Sequence, residues 1–324
     1  MFQISLIIII VQTMTTAVCI GRMTDSSYVI NGFVSGVDRN HIYYGSFDFD
    51  TSLFDVWSTF NIIEIGNLNQ LKYSVLPLTY DSYNDLIYLA SADVENNQSK
   101  LCVIAATNGA LVATFNQIQQ PIISLQFDNF QRKLFAHVEI HQSQSLIIEI
   151  DTNNGTIKRV IGTLNSLNAT ALSSYSPVSE EYFLMMIENE QYIFIAFNTN
   201  NVSDSKRTSL DFIPLNMKCD YKTSTIYITY IDQPDRFISS IGTLNQTTGH
   251  IDNYLGIVSR STNLHLTAVS AYDMAQDIYY TSTVSNPLNS TGIIYIDTYR
   301  QEIQSRNLPN NITKTHGWFI KQFG

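Results

Sequence analysis

Asp48, Asp50 and Asp55 bring three carboxylates into one short stretch, Phe47-Asp48-Phe49-Asp50-Thr51-Ser52-Leu53-Phe54-Asp55. Hard cations take clustered oxygen ligands, so the stretch is a candidate Ca2+ loop; a solvated acidic loop is the simpler reading. No other cofactor is implied. A second polar stretch, Asp232-Gln233-Pro234-Asp235-Arg236, shares one property with the first. Both interrupt an otherwise regular pattern, and insertions on a rigid scaffold are where binding usually lives. Asp48, Asp50, Asp55, Asp232, Asp235 and Arg236 are therefore the candidate binding residues. Both loops are read as joining the second and third strands of a repeat, which puts them on one recognition face.

His137 and His141 spell H-x-x-x-H, a zinc pair when helical. The stretch reads as a strand, where residues four apart stand about 13 Å from each other. They share a face and cannot share a metal. No G-x-S-x-G elbow, P-loop, Rossmann glycine run or C-x-x-C occurs, so no catalytic residue is nominated.

The elements that must position these residues repeat. An apolar run, an Asp, a short gap and a hydrophobic–aromatic pair recur, most clearly in Leu125-Gln126-Phe127-Asp128 followed by Leu134-Phe135. The anchors Asp38, Asp81, Asp128, Ser176, Asp220 and Asp273 are separated by 43, 47, 48, 44 and 53 residues. Strand-like pieces with a period in the forties indicate a β-propeller. Amphipathic helix patterns are missing, while Ile, Val, Tyr, Phe and Thr dominate the repeats. The expected fold is all-β, a six-bladed propeller of four-stranded antiparallel blades. The second repeat reads as strands at Ser74–Tyr80, Leu86–Ser91, Lys100–Ala106 and Ala110–Phe115. A polar turn precedes each fourth strand, as in Thr107-Asn108-Gly109 and Asp151-Thr152-Asn153-Asn154-Gly155. Its Gly supplies the positive φ of a tight hairpin, and the sixth repeat lacks it. A strand-like piece at each end, Tyr28–Gly36 and Trp318–Phe323, is expected to let one terminus complete a blade begun by the other. The recurring Asp residues could be taken for a carboxylate ring. Their periodicity instead favours each one accepting backbone N–H groups in its own turn.

The aromatic-Asp turn, the Ile-Tyr strand and the apolar-Asp-x-x-x-Gly turn together resemble the repeats of YVTN/NHL-type β-propellers. The likeness spans six repeats; the Pro-Asp-Gly often found at the first turn is absent from every copy. It implies a toroid with a central channel and no particular activity.

The outer bounds come from composition and targeting. A net charge of −10 with no Lys/Arg run argues against nucleic acid. Residues 1–19 read as a cleaved secretory signal, with the apolar run Ile4–Val11 and small residues through Cys19; the run is too short to span a bilayer. Residues 20–324 then form the single propeller domain, secreted and with no membrane insertion. Sequons at Asn97, Asn154, Asn168, Asn201, Asn245, Asn289 and Asn311 fall between strand patterns and are candidate glycosylation sites. Cys102 and Cys219 fall in opposite repeats, too far apart for a disulfide, and are read as separate buried thiols. The leading expectation is a secreted, monomeric module that binds a protein or glycan on one face. The alternative is a metal-dependent hydrolase of the lactonase-like six-bladed type, which would need acidic and Asn side chains converging at the channel mouth.

Overall fold

The computed structural model describes residues 29–36, 41–61, 76–93, 98–141, 144–165, 168–201, 205–232, 238–259, 264–273, 275–285 and 290–321. Residues 1–19, read above as a signal, and Asp38 therefore lie outside the described residues. Within them are 24 strands in six four-stranded antiparallel sheets.

Five sheets are continuous in sequence, each running from the innermost strand outward. The second blade is β4 (Leu78–Asp81), β5 (Leu86–Asp93), β6 (Gln98–Ala105) and β7 (Leu111–Phe115). The third is β8 (Ile122–Asp128), β9 (Lys133–His141), β10 (Gln144–Ile150) and β11 (Ile157–Asn165). The fourth comprises β12 (Asn168–Ser176), β13 (Glu181–Glu188), β14 (Gln191–Asn198) and β15 (Ser205–Ser209). The fifth comprises β16 (Ile213–Cys219), β17 (Ile226–Ile231), β18 (Ser239–Leu244) and β19 (Ile251–Ser259). The sixth is β20 (Leu264–Asp273), β21 (Ile278–Ser285), β22 (Ser290–Asp297) and β23 (Glu302–Asn307).

The remaining sheet closes the ring. Its order is β24 (Ile312–Phe319), β1 (Val29–Gly36), β2 (His41–Asp48) and β3 (Leu53–Asn61), so the C-terminal strand is innermost and three N-terminal strands follow. This is the expected exchange between termini, and it pairs the edge of β1 that would otherwise stand open. The seam is tight. A Cβ added at Gly32 would sit 2.0 Å from Cε3 of Trp318, so only glycine lets the indole lie flat on β1. His316 shares a hydrogen bond with the Ser35 hydroxyl at 3.1 Å, and beyond β24 the Lys321 ammonium reaches Asp85 at 3.0 Å on the second blade.

The closing strand corrects the reading of the first repeat. Because β24 takes the innermost place, β1 is the second strand and His41–Asp48 the third. The first repeat is therefore one strand out of phase with the pattern of Val37-Asp38 followed by Ile42-Tyr43.

Apolar packing explains why the sheets stand side by side. Six buried clusters straddle the six seams between neighbouring blades. The largest fully buried side chains are all Tyr or Phe, as in Phe135 against Tyr175 and Tyr182 between the third and fourth blades. Each buried aromatic contributes roughly 1.5–3 kcal/mol relative to exposure, and its flat shape fills the wedge between twisted sheets. Cys102 and Cys219 are free, buried thiols in separate blades.

Candidate functional site

Two families of five-residue turns share one face, here the upper face. Turns from innermost to second strand start at Asp81, Asp128, Ser176, Asp220 and Asp273. Asp81 Oδ1 accepts from the amides of Tyr83 and Asn84, Asp128 Oδ1 from Phe130 and Gln131, and Asp273 Oδ1 from Ala275 and Gln276. Ser176, which stands where Asp is expected, accepts from Ser179 in the same way. The recurrent Asp is thus a turn-former, as its periodicity suggests. The fourth residue after each anchor (Asp85, Arg132, Glu180, Ser224 and Asp277) takes the left-handed conformation. The turns from third to fourth strand put Ser52, Gly109, Gly155, Gly249 or Gln301 at that conformation. Gln301 does so where the sixth repeat lacks its glycine.

The nominated acidic stretch belongs to this second family. Asp48–Ser52 joins β2 to β3, third to fourth strand, and so opens on the upper face. Asp232 follows β17, second strand of its blade, and opens on the opposite face. The expectation of one shared face is corrected: inserting β24 innermost moves the first loop along by one strand and reverses its side. Asp48 Oδ1 accepts from the amides of Asp50 and Thr51, and Asp55 Oδ2 from the Trp57 indole. The stretch's aromatic residues are also anchors. Phe47 and Phe49 are buried, with Phe49 packed on Tyr280 and Tyr295 of the sixth blade. Asp235 and Arg236 lie outside the described residues, while Asp232 is exposed. Asp48 and Asp232 thus stand at opposite faces.

Asn154, Asn168, Asn201 and Asn311 are exposed. Asn168 begins β12, so it is not between strands as its pattern suggested. Asn245 is half-buried and its amide donates to Asp252 at 3.1 Å. Asn97 and Asn289 lie outside the described residues. His137 is wholly buried on β9 against Ser145 at 2.8 Å, and burial pushes its pKa down to about 3.

The innermost strands surround a narrow channel. Its inner part is a cavity of about 60 Å3, lined by Ser124, Gln126, Ser173, Lys218 and Ser270 among apolar neighbours. Its mouth, on the upper face, is a second space of about 80 Å3 with Tyr80, Ser82, Asn129, Lys218, Tyr221 and Tyr272 on its walls. Leu78, Lys218 and Trp318 border both and form the neck. Most polar groups here tie blade to blade. Ser124 bonds the Tyr182 hydroxyl at 2.9 Å, Gln126 donates to Ser173 at 3.0 Å, and the Asn129 amide oxygen accepts from the Ser82 amide at 2.7 Å.

Lys218 is different. It is half-buried and borders both spaces, and desolvation lowers its pKa to about 8. Among the described residues no carboxylate pairs with it. The sequence reading missed it, although a signal was present. Two positions before the anchor, other blades carry Thr79, Gln126, Ser174 and Ala271, and only the fifth carries a cation.

This lining does not fit a Ca2+ site. No carboxylate borders either space, and no group of three or more His, Cys, Asp or Glu converges among the described residues. The nearby Asp residues hold their own turns, and Asp128 also accepts from the Tyr175 hydroxyl.

No family model and no curated relative matches the chain. Solved structures do. A chain of the nidogen–laminin complex superposes with a TM-score of 0.58 at 12% identity, covering 91% of this chain and 100% of its own. A TolB-type protein from Agrobacterium tumefaciens gives 0.57 at 7% identity over 90% and 93% of the two chains. A quinoprotein alcohol dehydrogenase-like protein from Bacteroides thetaiotaomicron gives 0.55 at 9% identity over 90% and 79%. The likeness is one of fold. At these identities the propeller is shared and activity does not follow.

Proposed function

We propose that this propeller is a secreted protein-binding module that engages its partner on the upper face. One observation carries the reading. Consecutive second, third and fourth blades place Tyr83, Phe130 and Val178 at the same turn position, two residues after the anchor, with 73%, 76% and 63% of their surface exposed. Three large apolar side chains lifted into water along one arc are what an interface uses and a bare surface avoids. The Arg132 guanidinium lies 3.5 Å from the centre of the Tyr83 ring and adds a cation at the arc's edge. Arginine and aromatic residues together are enriched at protein interfaces.

The channel supports the same conclusion by its size. Spaces of about 60 and 80 Å3 are far below the roughly 300–1,000 Å3 that enclose a drug-sized ligand, which turns attention to the rim. The hydrolase alternative has no such support, because its converging acids are missing from the channel lining. That a nidogen–laminin complex contains a chain of this fold agrees with a binding role and adds nothing to its specificity.

A photo-crosslinking residue placed at Phe130, and at the outer-strand position Val160 as a control, tests the face. The expected result is one protein captured from Phe130 alone, and lost on Tyr83→Ser/Val178→Ser with the melting temperature unchanged. Equal capture from both positions would refute the assignment.

A further inference from the structure

The neck of the channel carries donors that the fold does not use. The Lys218 ammonium has no carboxylate partner, and the Tyr221 hydroxyl has no hydrogen-bond partner among the described residues; both border the mouth. Their neighbours are otherwise committed. The Trp318 indole donates to Ser282, the Tyr272 hydroxyl to Asp277, and Asn129 exchanges bonds with Ser82 and Tyr80. Four carboxylates lie in the surrounding turns: Asp81, Asp128, Asp220 and Asp273. Each is held by its own turn through two N–H groups or an N–H and a side-chain hydroxyl, and the second oxygen of Asp128 takes the Tyr175 hydroxyl of the next blade. A cation with no counter-ion inside a low-dielectric neck is costly unless something supplies the charge.

We propose that the channel mouth is a carboxylate-binding site, with the Lys218 ammonium as the charged donor and the Tyr221 hydroxyl as the second. Charge-assisted hydrogen bonds of this kind are about twice as strong as neutral ones. The apolar walls, Leu78, Trp318, Phe319 and Ile320, leave the organic end of such a ligand in contact with hydrocarbon. Size restricts the class. About 80 Å3 holds several waters at roughly 10–15 Å3 each, which suits a carboxylate bearing two to four carbons and excludes a sugar ring or nucleotide. This site needs no macromolecular partner and is independent of the apolar arc on the rim. The carboxylate can arrive as a free small acid or on an Asp or Glu side chain of another protein.

The test uses the full chain with lysines dimethylated by 13C-formaldehyde, the Lys218 signal being assigned by its loss in Lys218→Met. Sodium acetate, the blocked tripeptide acetyl-Ala-Asp-Ala-amide and sodium chloride at matched ionic strength are titrated separately. The Lys218 resonance is expected to move saturably with a carboxylate and not with chloride, with affinity falling about three- to tenfold in Tyr221→Phe. A response to acetate identifies a free acid as sufficient. A response to the peptide alone assigns the carboxylate to a partner side chain. No saturable shift with either, or the same shift with chloride, overturns the proposal. Tyr221→Phe keeps the test decisive should Lys218→Met fold poorly, because its three- to tenfold loss is read with Lys218 still in place.

Discussion

The Tyr175 hydroxyl donates to Oδ2 of Asp128 at 2.8 Å, across the seam between the third and fourth blades, with both residues buried. The other oxygen of Asp128 holds its own turn. One carboxylate thus fixes a local bend and a contact between blades. Asp128 in turn raises the Tyr175 pKa, second to burial itself.

Tyr175→Phe leaves that oxygen buried without its donor. The expected loss is about 1–3 kcal/mol, read as a lower urea midpoint with an unchanged slope. A variant as stable as the parent would show that water replaces the hydroxyl.

Acid should weaken the ring through two histidines. Burial holds His137 and His316 at pKa values of about 3, while an unfolded histidine titrates near 6.5. Between those values the unfolded chain binds more protons, so stability is fully present above about pH 6.5 and is lost as pH falls toward 3. Melting temperatures taken from pH 7.5 to 4.5 should decline, and His137→Gln should flatten the decline. An equal slope in parent and variant would count against this.

Lys218 acts in the opposite sense to a paired lysine. Its pKa of about 8 lies below the ordinary 10.5, so below about pH 8 the folded state bears the full cost of a desolvated cation. Stability should rise as pH climbs from 8 to 10.5. Lys218→Met should therefore stabilise the protein at pH 7 by on the order of 1 kcal/mol, channel water screening the remainder. The gap should close by pH 10.5, and thermal melts at both pH values check it.

Removing residues 312–324 takes away β24 and leaves the edge of β1 unpaired. Cooperative unfolding should be lost, and gel filtration should show association through that edge. A peptide spanning 312–321 added in trans should restore a single transition; a sharp transition without it would mean that the ring closes otherwise.

In a secreting, glycosylating host the exposed Asn154, Asn168, Asn201 and Asn311 should carry glycan, with Asn245 less occupied because its amide is engaged by Asp252. Mass spectrometry of peptides before and after deglycosylation measures this directly, and an N-terminus beginning near residue 20 would accompany it. Unmodified peptides in material that has entered the medium would end the glycoprotein reading.

The blades were legible because their signals are local. Asp128 and its equivalents mark the turns, the Leu134-Phe135 pairs mark the second strands, and both recur within a few residues of each other. The phase of the first repeat was not, because β24 enters it from the far end of the chain and a periodicity cannot reveal a partner that distant. The side of the first acidic loop was misjudged for the same reason, while Asp232 follows a second strand as read. Phe47 and Phe49 stand among three carboxylates in sequence, yet they are buried against the sixth blade, a contact with no trace in nearby sequence. The channel lysine was readable only as an exception, by laying five innermost strands side by side and asking which alone carries a cation two positions before its anchor.

Ser35 and Thr313 touch although they are 278 positions apart, and this sets a timetable for biosynthesis. The first three strands leave the ribosome early and wait, lacking their innermost companion, while every other blade is made. Only when the last strand emerges can the nascent toroid shut, so pauses or cleavage late in translation would strand an open horseshoe whose sticky rim is a natural target for chaperones.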